Sequence, residues 1–259
     1  MKNLFITLGF IFFLTVTADA ATVSGGISKM DMNNANQIVD AVTNAPVGNA
    51  KVSLPKYNYS TYTDSYGTFS IGKVSGPTIM SVEKEGYRPF SLTINDTIAA
   101  RPLVVGITKS NISDVVIASD VFHLGDDNYS DASSGAGTFR LRSSGPYFRK
   151  TFMLGAEVKN GSNYLVIGSI IGVDTLMARS MGQNKIVNSY ASPPEIFFNG
   201  AKIAEIQLNG DNQKIKIPNN LIRAGQQNEV TIKAGRNLMQ TAYVDYDDIE
   251  IANLSIISE

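Results

Sequence analysis

Hydrophobic and polar residues alternate along short stretches of this chain. Phe69 and Ile71 alternate with Thr68 and Ser70, and a period of two residues is typical of a strand with one buried face. Similar stretches recur at even spacing between turn residues, so the pattern predicts an all-β protein of sandwich type. We expect strands near 50–54, 61–63, 68–71, 78–83, 90–94, 102–107, 138–142, 147–154, 164–171, 195–198, 201–208, 214–217, 229–233 and 247–256.

Some connections between these strands have residues that specify tight turns. In Asp64-Ser-Tyr-Gly67, the Asp side chain bonds the backbone two residues on, and the Gly accepts a positive φ. Asn199-Gly200 follows an apolar run and is the strongest hairpin dipeptide in the chain, and Asn209-Gly210 repeats it. We therefore expect hairpins at Asp64–Gly67 and at Asn199-Gly200.

The first 20 residues have the pattern of a cleaved signal peptide. Lys2 provides a positive charge, an apolar run extends from Leu4 to Val16, and Ala18-Asp-Ala20 has the small residues of a cleavage site. The run is shorter than the ~18–20 residues that cross a membrane. We expect cleavage after Ala20 and a secreted, periplasmic or cell-surface protein with no membrane span; the alternative is an uncleaved amphipathic anchor.

The composition indicates which classes of binding partner we expect. The chain has no Cys, so export is not accompanied by a disulfide framework. The net charge is −1 with both signs interspersed, and neither a basic stripe for nucleic acid nor a polybasic segment for anionic lipid is present. Nucleic acid is therefore not an expected partner, whereas a glycan, a cell-surface polymer or a protein remains open.

The first half resembles a known family. Asp40, Pro46–Val52, Thr63–Phe69 and Val82–Tyr87 have the order and spacing of the carboxypeptidase regulatory-like, transthyretin-like domain. The resemblance implies a seven-stranded β-sandwich that serves as a structural or accessory module, with no shared catalytic residues. We place this domain at 22–108 and a polar linker at 109–119.

The second half, 120–259, resembles the galactose-binding-like jelly roll. The resemblance rests on Phe198-Asn-Gly200, Ile215–Pro218, Gly225–Gly235 and Asp247–Ile251. It implies a jelly-roll β-sandwich of the kind that carries many carbohydrate-binding modules, which often bind sugars through loops at one end and often hold a structural calcium ion.

Aromatic residues near the loops of the second half are the candidate ligand-binding residues. Sugar rings have apolar C–H faces, and a Tyr ring provides a flat partner with a polar tip. We select Tyr129, Tyr147 and Tyr190, with Arg149 to bind hydroxyls or acidic sugars. The alternative for each Tyr is a place in the core or at its rim, and the absence of Trp weakens the carbohydrate interpretation.

Acidic residues at the two ends of the second half are the candidate metal ligands. Calcium takes six to eight oxygen ligands, and the first and last strands of such folds often pair. A structural Ca2+ held by these acids is therefore a hypothesis, and the alternative is that they solvate turns. The candidate ligands are Asp126, Asp127, Asp247, Asp248 and Glu250.

The only histidine, His123, lies between Phe122 and Leu124. We interpret it as a packed residue, because no Ser lies in a G-x-S-x-G elbow and a catalytic base needs a nucleophile and an orienting acid. One His without Cys also provides too few ligands for a typical zinc site. We expect a non-catalytic binding protein; the alternatives are an adhesin-like structural or protein-interaction module and, third, a glycoside-active enzyme.

Overall fold

The computed structural model describes residues 35–127, 139–183, 191–236 and 248–259. These residues form 15 strands in four sheets, which confirms the predicted all-β fold of sandwich type. Asn33–Glu259 is one compact unit, whereas the expected signal peptide lies outside the described residues. Within the described ranges, no helix has the length and apolar character needed to cross a membrane.

The first half folds into a sandwich of two sheets. Sheet I has the strand order β4-β1-β7 and sheet II the order β3-β2-β5-β6. Their facing side chains, including Ile38, Val52, Met80 and Ile107, form one buried core. The strands are β1 (Asn36–Asp40), β2 (Lys51–Leu54), β3 (Tyr59–Tyr62), β4 (Thr68–Phe69), β5 (Thr78–Glu83), β6 (Phe90–Ile94) and β7 (Val104–Ile107), with a short helix α1 (Asp96–Ala99) before β7.

The second half folds into a sandwich of two four-stranded sheets. Sheet III has the order β13-β10-β15-β8 and sheet IV the order β12-β11-β14-β9, and their core includes Leu165, Ile196 and Ile251. The strands are β8 (Val115–Leu124), β9 (Tyr147–Met153), β10 (Asn163–Ile171), β11 (Glu195–Phe198), β12 (Ala201–Glu205), β13 (Gly210–Ile217), β14 (Gln227–Lys233) and β15 (Ile249–Ser258), with helix α2 (Leu176–Ser180) after β10.

Three local expectations have different outcomes. Asn199-Gly200 forms the predicted hairpin between β11 and β12, with φ of 49° and 82°. The Asp64–Gly67 turn forms, but it is not a hairpin, because it carries the chain from sheet II to sheet I. The strand predicted at 138–142 is wrong for its described part: Phe139–Arg142 is irregular, and the Leu141 carbonyl bonds the His123 ring rather than a neighbouring strand.

The two sandwiches pack through sheets II and III. Strand β5 is buried on both faces: Met80 and Val82 enter the first core, while Ile79 contacts the second sandwich. Asp211 on β13 accepts hydrogen bonds from the backbone N–H and the hydroxyl of Thr93 on β6, at 2.9 and 2.8 Å. The two halves are therefore joined by a mixed polar and apolar interface.

The expected linker is held against the first sandwich. Arg88 donates two hydrogen bonds to Asp114, at 2.6 and 3.1 Å, and the Asp114 side chain is only 4% exposed. Strand β8 already begins at Val115, five residues before the expected start of the second half. The connection is therefore short and fixed at both ends.

Candidate functional site

Strands β8 and β15, the first and last of the second sandwich, pair in an antiparallel ladder. Their pairing brings together part of the predicted acidic group. His123 Nε2 lies 2.8 Å from Asp248 Oδ1, and the Asp127 backbone N–H donates to the same oxygen at 3.1 Å. One potential ligand atom from each of His123, Asp127 and Asp248 lies within 4.8 Å of the others. We call these three residues the His123 cluster.

His123 is the centre of this cluster and is almost fully buried. Its Nδ1 lies 2.5 Å from the Leu141 carbonyl oxygen, which only accepts, so Nδ1 carries a proton. Burial acts to lower the pKa of His123, but the hydrogen bonds to Asp248 and Leu141 and the nearby carboxylates raise it overall. The buried His123 ring therefore joins the segment around Leu141 and Asp248, the residue before β15, to the end of β8.

Gly125 allows the Asp248 carboxylate to occupy this position. A Cβ at residue 125 would lie 1.9 Å from Asp248 Oδ1. The Asp127 carboxylate accepts from the Ser143 backbone N–H at 3.1 Å, and the Ser143 hydroxyl donates to the Gly125 carbonyl at 2.7 Å. Backbone groups of the chain segments around residues 125 and 143 therefore contact the cluster, in which His123 and Asp248 are buried and Asp127 is exposed.

Glu250 lies beside the cluster, directly opposite His123 in the β8–β15 ladder. It is 1% exposed, and its Oε1 has no hydrogen-bond partner among the described residues. Burial raises the pKa of Glu250 to about 7, although the positive charges of His123 and Lys56 act in the opposite direction. Near neutral pH this carboxyl group is therefore partly protonated.

The His123 cluster provides only some of the ligands that calcium normally takes. Calcium coordinates six to eight oxygen atoms, whereas Asp127 and Asp248 provide two carboxylates and the third group is a His nitrogen. Asp126 is not one of the three clustered groups, and Asp247 lies outside the described residues. The structural Ca2+ stays a prediction.

Two of the four candidate ligand-binding residues are described, and both lie on β9 at the edge of sheet IV. Tyr147 is 47% exposed, and the Arg149 guanidinium carbon lies 5.5 Å from the centre of its ring. Arg149 also lies 3.8 Å from Glu229 on β14. Tyr129 and Tyr190 lie outside the described residues.

Tyr147 and Arg149 begin two rows of side chains across the outer face of sheet IV. Residues that pair directly across strands point to the same side of a sheet, and the alternate residues Phe148, Ile196 and Ile232 fill the core. We call the outward residues the sheet IV face. Its rows are Tyr147–Lys233–Glu195–Glu205 and Arg149–Thr231–Phe197–Lys202.

Phe197 is the second aromatic ring of this face, and the sequence interpretation missed it. The Lys233 ammonium lies 4.5 Å from its ring centre. Phe197 is two strands away from Tyr147 and two residues further along, roughly 12 Å at the usual strand dimensions. Local alternation marks Phe197 as opposite in face to Phe198. Its relation to Tyr147 depends on strand order, which the sequence does not specify.

The charges of the sheet IV face are paired with one another. Lys202 donates hydrogen bonds of 2.6 Å to both Glu195 and Glu205, and Arg236 binds Glu205 at 3.0 Å. Hydrogen bonds from Arg236 and Lys202 lower the pKa of Glu205 to about 2. The face therefore presents two aromatic rings among fixed, mutually neutralised charges.

Comparisons with known proteins do not place this chain in a family. No family model and no curated protein matches it. Among solved structures it is similar to a putative beta-galactosidase from Bacteroides fragilis, at 14% identity and a TM-score of 0.25, over 43% of this chain and 15% of that one. It is also similar to the β-glucuronidase of Ruminococcus gnavus, at 14% identity and a TM-score of 0.29, over 56% and 30% of the two chains.

A third similar structure is the β-glucuronidase of Dictyoglomus thermophilum, at 14% identity and a TM-score of 0.28, over 56% of this chain and 29% of that one. This chain spans less than a third of the length of each of these enzymes. At such low TM-scores, the similarity carries no weight for fold or function.

Proposed function

We propose that this chain is an exported, non-catalytic binding protein that recognises an extracellular glycan or cell-surface polymer through the sheet IV face. In this proposal the second sandwich is a galactose-binding-like jelly roll, and the first is a transthyretin-like accessory module. The observation that supports it is the exposed Tyr147 ring, which lies beside Arg149 and two strands away from Phe197 on the outer face of sheet IV.

A sugar chain matches this combination of groups. Aromatic rings pack against the apolar C–H faces of sugars, and charged side chains donate to or accept from hydroxyls at fixed positions. Arg149 and Lys233 each lie next to a ring, so a sugar packed on that ring would have a charged group within reach of its hydroxyls. The rival function, an adhesin-like protein interaction, would use the same surface without a sugar.

Glycoside hydrolysis is less well supported by the acids of the structure. A glycosidase needs a general acid whose pKa is raised and which touches the substrate. Glu205 lies on the outer face of sheet IV, but its pKa is lowered to about 2. Glu250 has the raised pKa, about 7, but it is buried beneath the first sandwich and away from solvent.

A glycan array tests the proposal with the whole exported chain. We expect binding to at least one glycan, with a loss of about tenfold or more in affinity for Tyr147→Ala and for Phe197→Ala, because each variant removes one stacking ring. Tyr66→Ala is the matched control, since Tyr66 is an exposed tyrosine of the first sandwich, 64% accessible. A blank array, or a loss shared equally by Tyr66→Ala, would contradict the proposal.

A further inference from the structure

A groove lies between the two sandwiches, on the side opposite the Thr93–Asp211 contact. Two adjoining cavities of about 560 and 280 Å3 form it, and both are lined by Lys51, Glu83 and Ser119. One wall is the outer face of sheet II along β2, β3 and β5, and the other is the edge strand β8. The larger cavity has a volume within the roughly 300–1,000 Å3 range of ligand sites, which often lie between domains.

The sheet II wall is an ordered row of hydroxyl groups. Ser53 pairs directly with Ser60 on β3 and with Ser81 on β5, so the three side chains point to the same side of the sheet. Ser81 is buried where the sandwiches meet and accepts from Asn253 Nδ2 at 3.0 Å. Ser53 and Ser60 line the 280 Å3 cavity, opposite Asp120 of β8.

A second row adds an aromatic ring and a balanced pair of charges. It runs Tyr62–Lys51–Glu83 across the same three strands. Tyr62 is 61% exposed at the mouth of the larger cavity, and the Lys51 and Glu83 charges lie 4.0 Å apart. Both signs of charge line the groove, so a polyanion gains no overall electrostatic attraction there.

Polar contacts join the two walls of the groove. The Arg88–Asp114 pair fixes the connection between the sandwiches, and Thr93–Asp211 and Ser81–Asn253 fix the packing of sheet II on sheet III. A ligand therefore meets walls whose relative position is already set, which lowers the entropic cost of binding.

We infer that this groove is a second binding site, for a neutral oligosaccharide, to which both sandwiches contribute. The groove is lined by the Ser53 and Ser60 hydroxyls, the Asn49 and Asn58 amides and the exposed Tyr59 and Tyr62 rings. These groups match a ligand of many hydroxyls and no net charge. An added peptide strand would need apolar pockets for alternate side chains, and the Ser53 and Lys51 rows provide polar groups at those positions. The inference rests on the proposed function only for the class of ligand.

Calorimetric titration with neutral hexasaccharides tests the inference. The probes are β-1,4-linked hexamers of glucose, xylose and mannose, with an acidic hexagalacturonate and an extended polar peptide for comparison. We expect two hexasaccharides per chain for one of the neutral probes. Tyr62→Ala and Ser53→Leu should each abolish binding in the groove, and Tyr147→Ala should abolish binding on the sheet IV face. The melting temperature should be unchanged in all three variants.

The outcomes separate this inference from the proposed function. One bound hexasaccharide that is lost only in Tyr147→Ala overturns the groove site and leaves the proposed function intact. One bound hexasaccharide that is lost only in Tyr62→Ala and Ser53→Leu supports the groove site and overturns the proposal that the sheet IV face binds glycan. Preference for hexagalacturonate or the peptide in the groove, or no binding of any neutral probe at millimolar concentration, overturns the inference.

Discussion

Gly67 lies in the turn that carries the chain from sheet II to sheet I, and Gly67→Ala adds two separate costs. Its φ of +72° is a conformation that costs an L-residue about 1–2 kcal/mol. The new Cβ would also lie 2.4 Å from the Ile38 carbonyl oxygen and 3.1 Å from the Val47 nitrogen. These two atoms form a 2.9 Å hydrogen bond, whose displacement costs about 1 kcal/mol.

The expected loss in the free energy of unfolding for Gly67→Ala is therefore about 2–3 kcal/mol. Gly86→Ala is the matched control, because Gly86 has a similar φ of +80° in the same sandwich but no atom within 4 Å of an added Cβ. It should lose only the conformational cost, about 1–2 kcal/mol.

Urea denaturation followed by circular dichroism measures both variants under the same conditions. Equal losses for Gly67→Ala and Gly86→Ala would show that the contact with Ile38 has no energetic weight. An unchanged midpoint for both would refute the assignment of a positive φ at these turns.

Three further predictions concern the cluster, pH and the joint between the sandwiches. If Ca2+ binds at the His123 cluster, the chain melts at a lower temperature in EDTA and Asp127→Asn removes the difference; identical melting curves with and without EDTA contradict the calcium hypothesis. Hydrogen bonds from the Thr43 and Val42 N–H groups lower the pKa of Asp40 from 3.8 to about 2. Its stabilising effect is therefore complete above pH 3.8 and lost as the pH falls through 2, and Asp40→Asn should flatten acid denaturation curves in that window. Arg88→Ala leaves the nearly buried Asp114 carboxylate without its cation, so the free energy of unfolding should fall by about 1–3 kcal/mol, and an unchanged urea midpoint would argue against a rigid joint.

Most of the strands were predictable, because the pattern that defines a strand is local. The run at 164–171 has few polar residues, which predicts a strand covered on both faces, and β10 is buried in this way. Asn199-Gly200 also determines its turn through the positive φ of its own two residues. In each case the physical cause lies within a few residues of its effect.

Features that depend on strand order were not predictable from the sequence. Asn209-Gly210 has the same dipeptide as Asn199-Gly200, yet the chain there passes from sheet IV to sheet III. The Asn209 side chain instead bonds the backbone of Val173, 36 residues away. Asn209 and Gly210 also lack the positive φ of Asn199 and Gly200. The dipeptide alone therefore determines neither the backbone angles of a turn nor the sheet that receives the next strand.

The candidate sites were likewise predictable only in part. The meeting of Asp127 with Asp248 followed from the expectation that the first and last strands pair. The place of His123 between them, and the alignment of Ser53 with Ser60 and Ser81, depend on the register of strands far apart in the chain. Register of this kind is fixed by tertiary packing rather than by local composition.

The central position of β15 in sheet III has a consequence for the order of assembly during synthesis. It separates β8 from β10, and its contact with β8 closes a loop of 125 residues between His123 and Asp248. Every other strand that the structure describes has left the ribosome before β15 emerges. The second sandwich therefore cannot be completed until β15 is released, whereas all strands of the first are available once residue 107 is free. Contacts between residues far apart in the sequence slow folding. Until β15 pairs, strands β8 and β10 each have an exposed edge on the side that it will occupy. Shortening β15 should therefore reduce the yield of folded protein far more than an equal deletion in the edge strand β12.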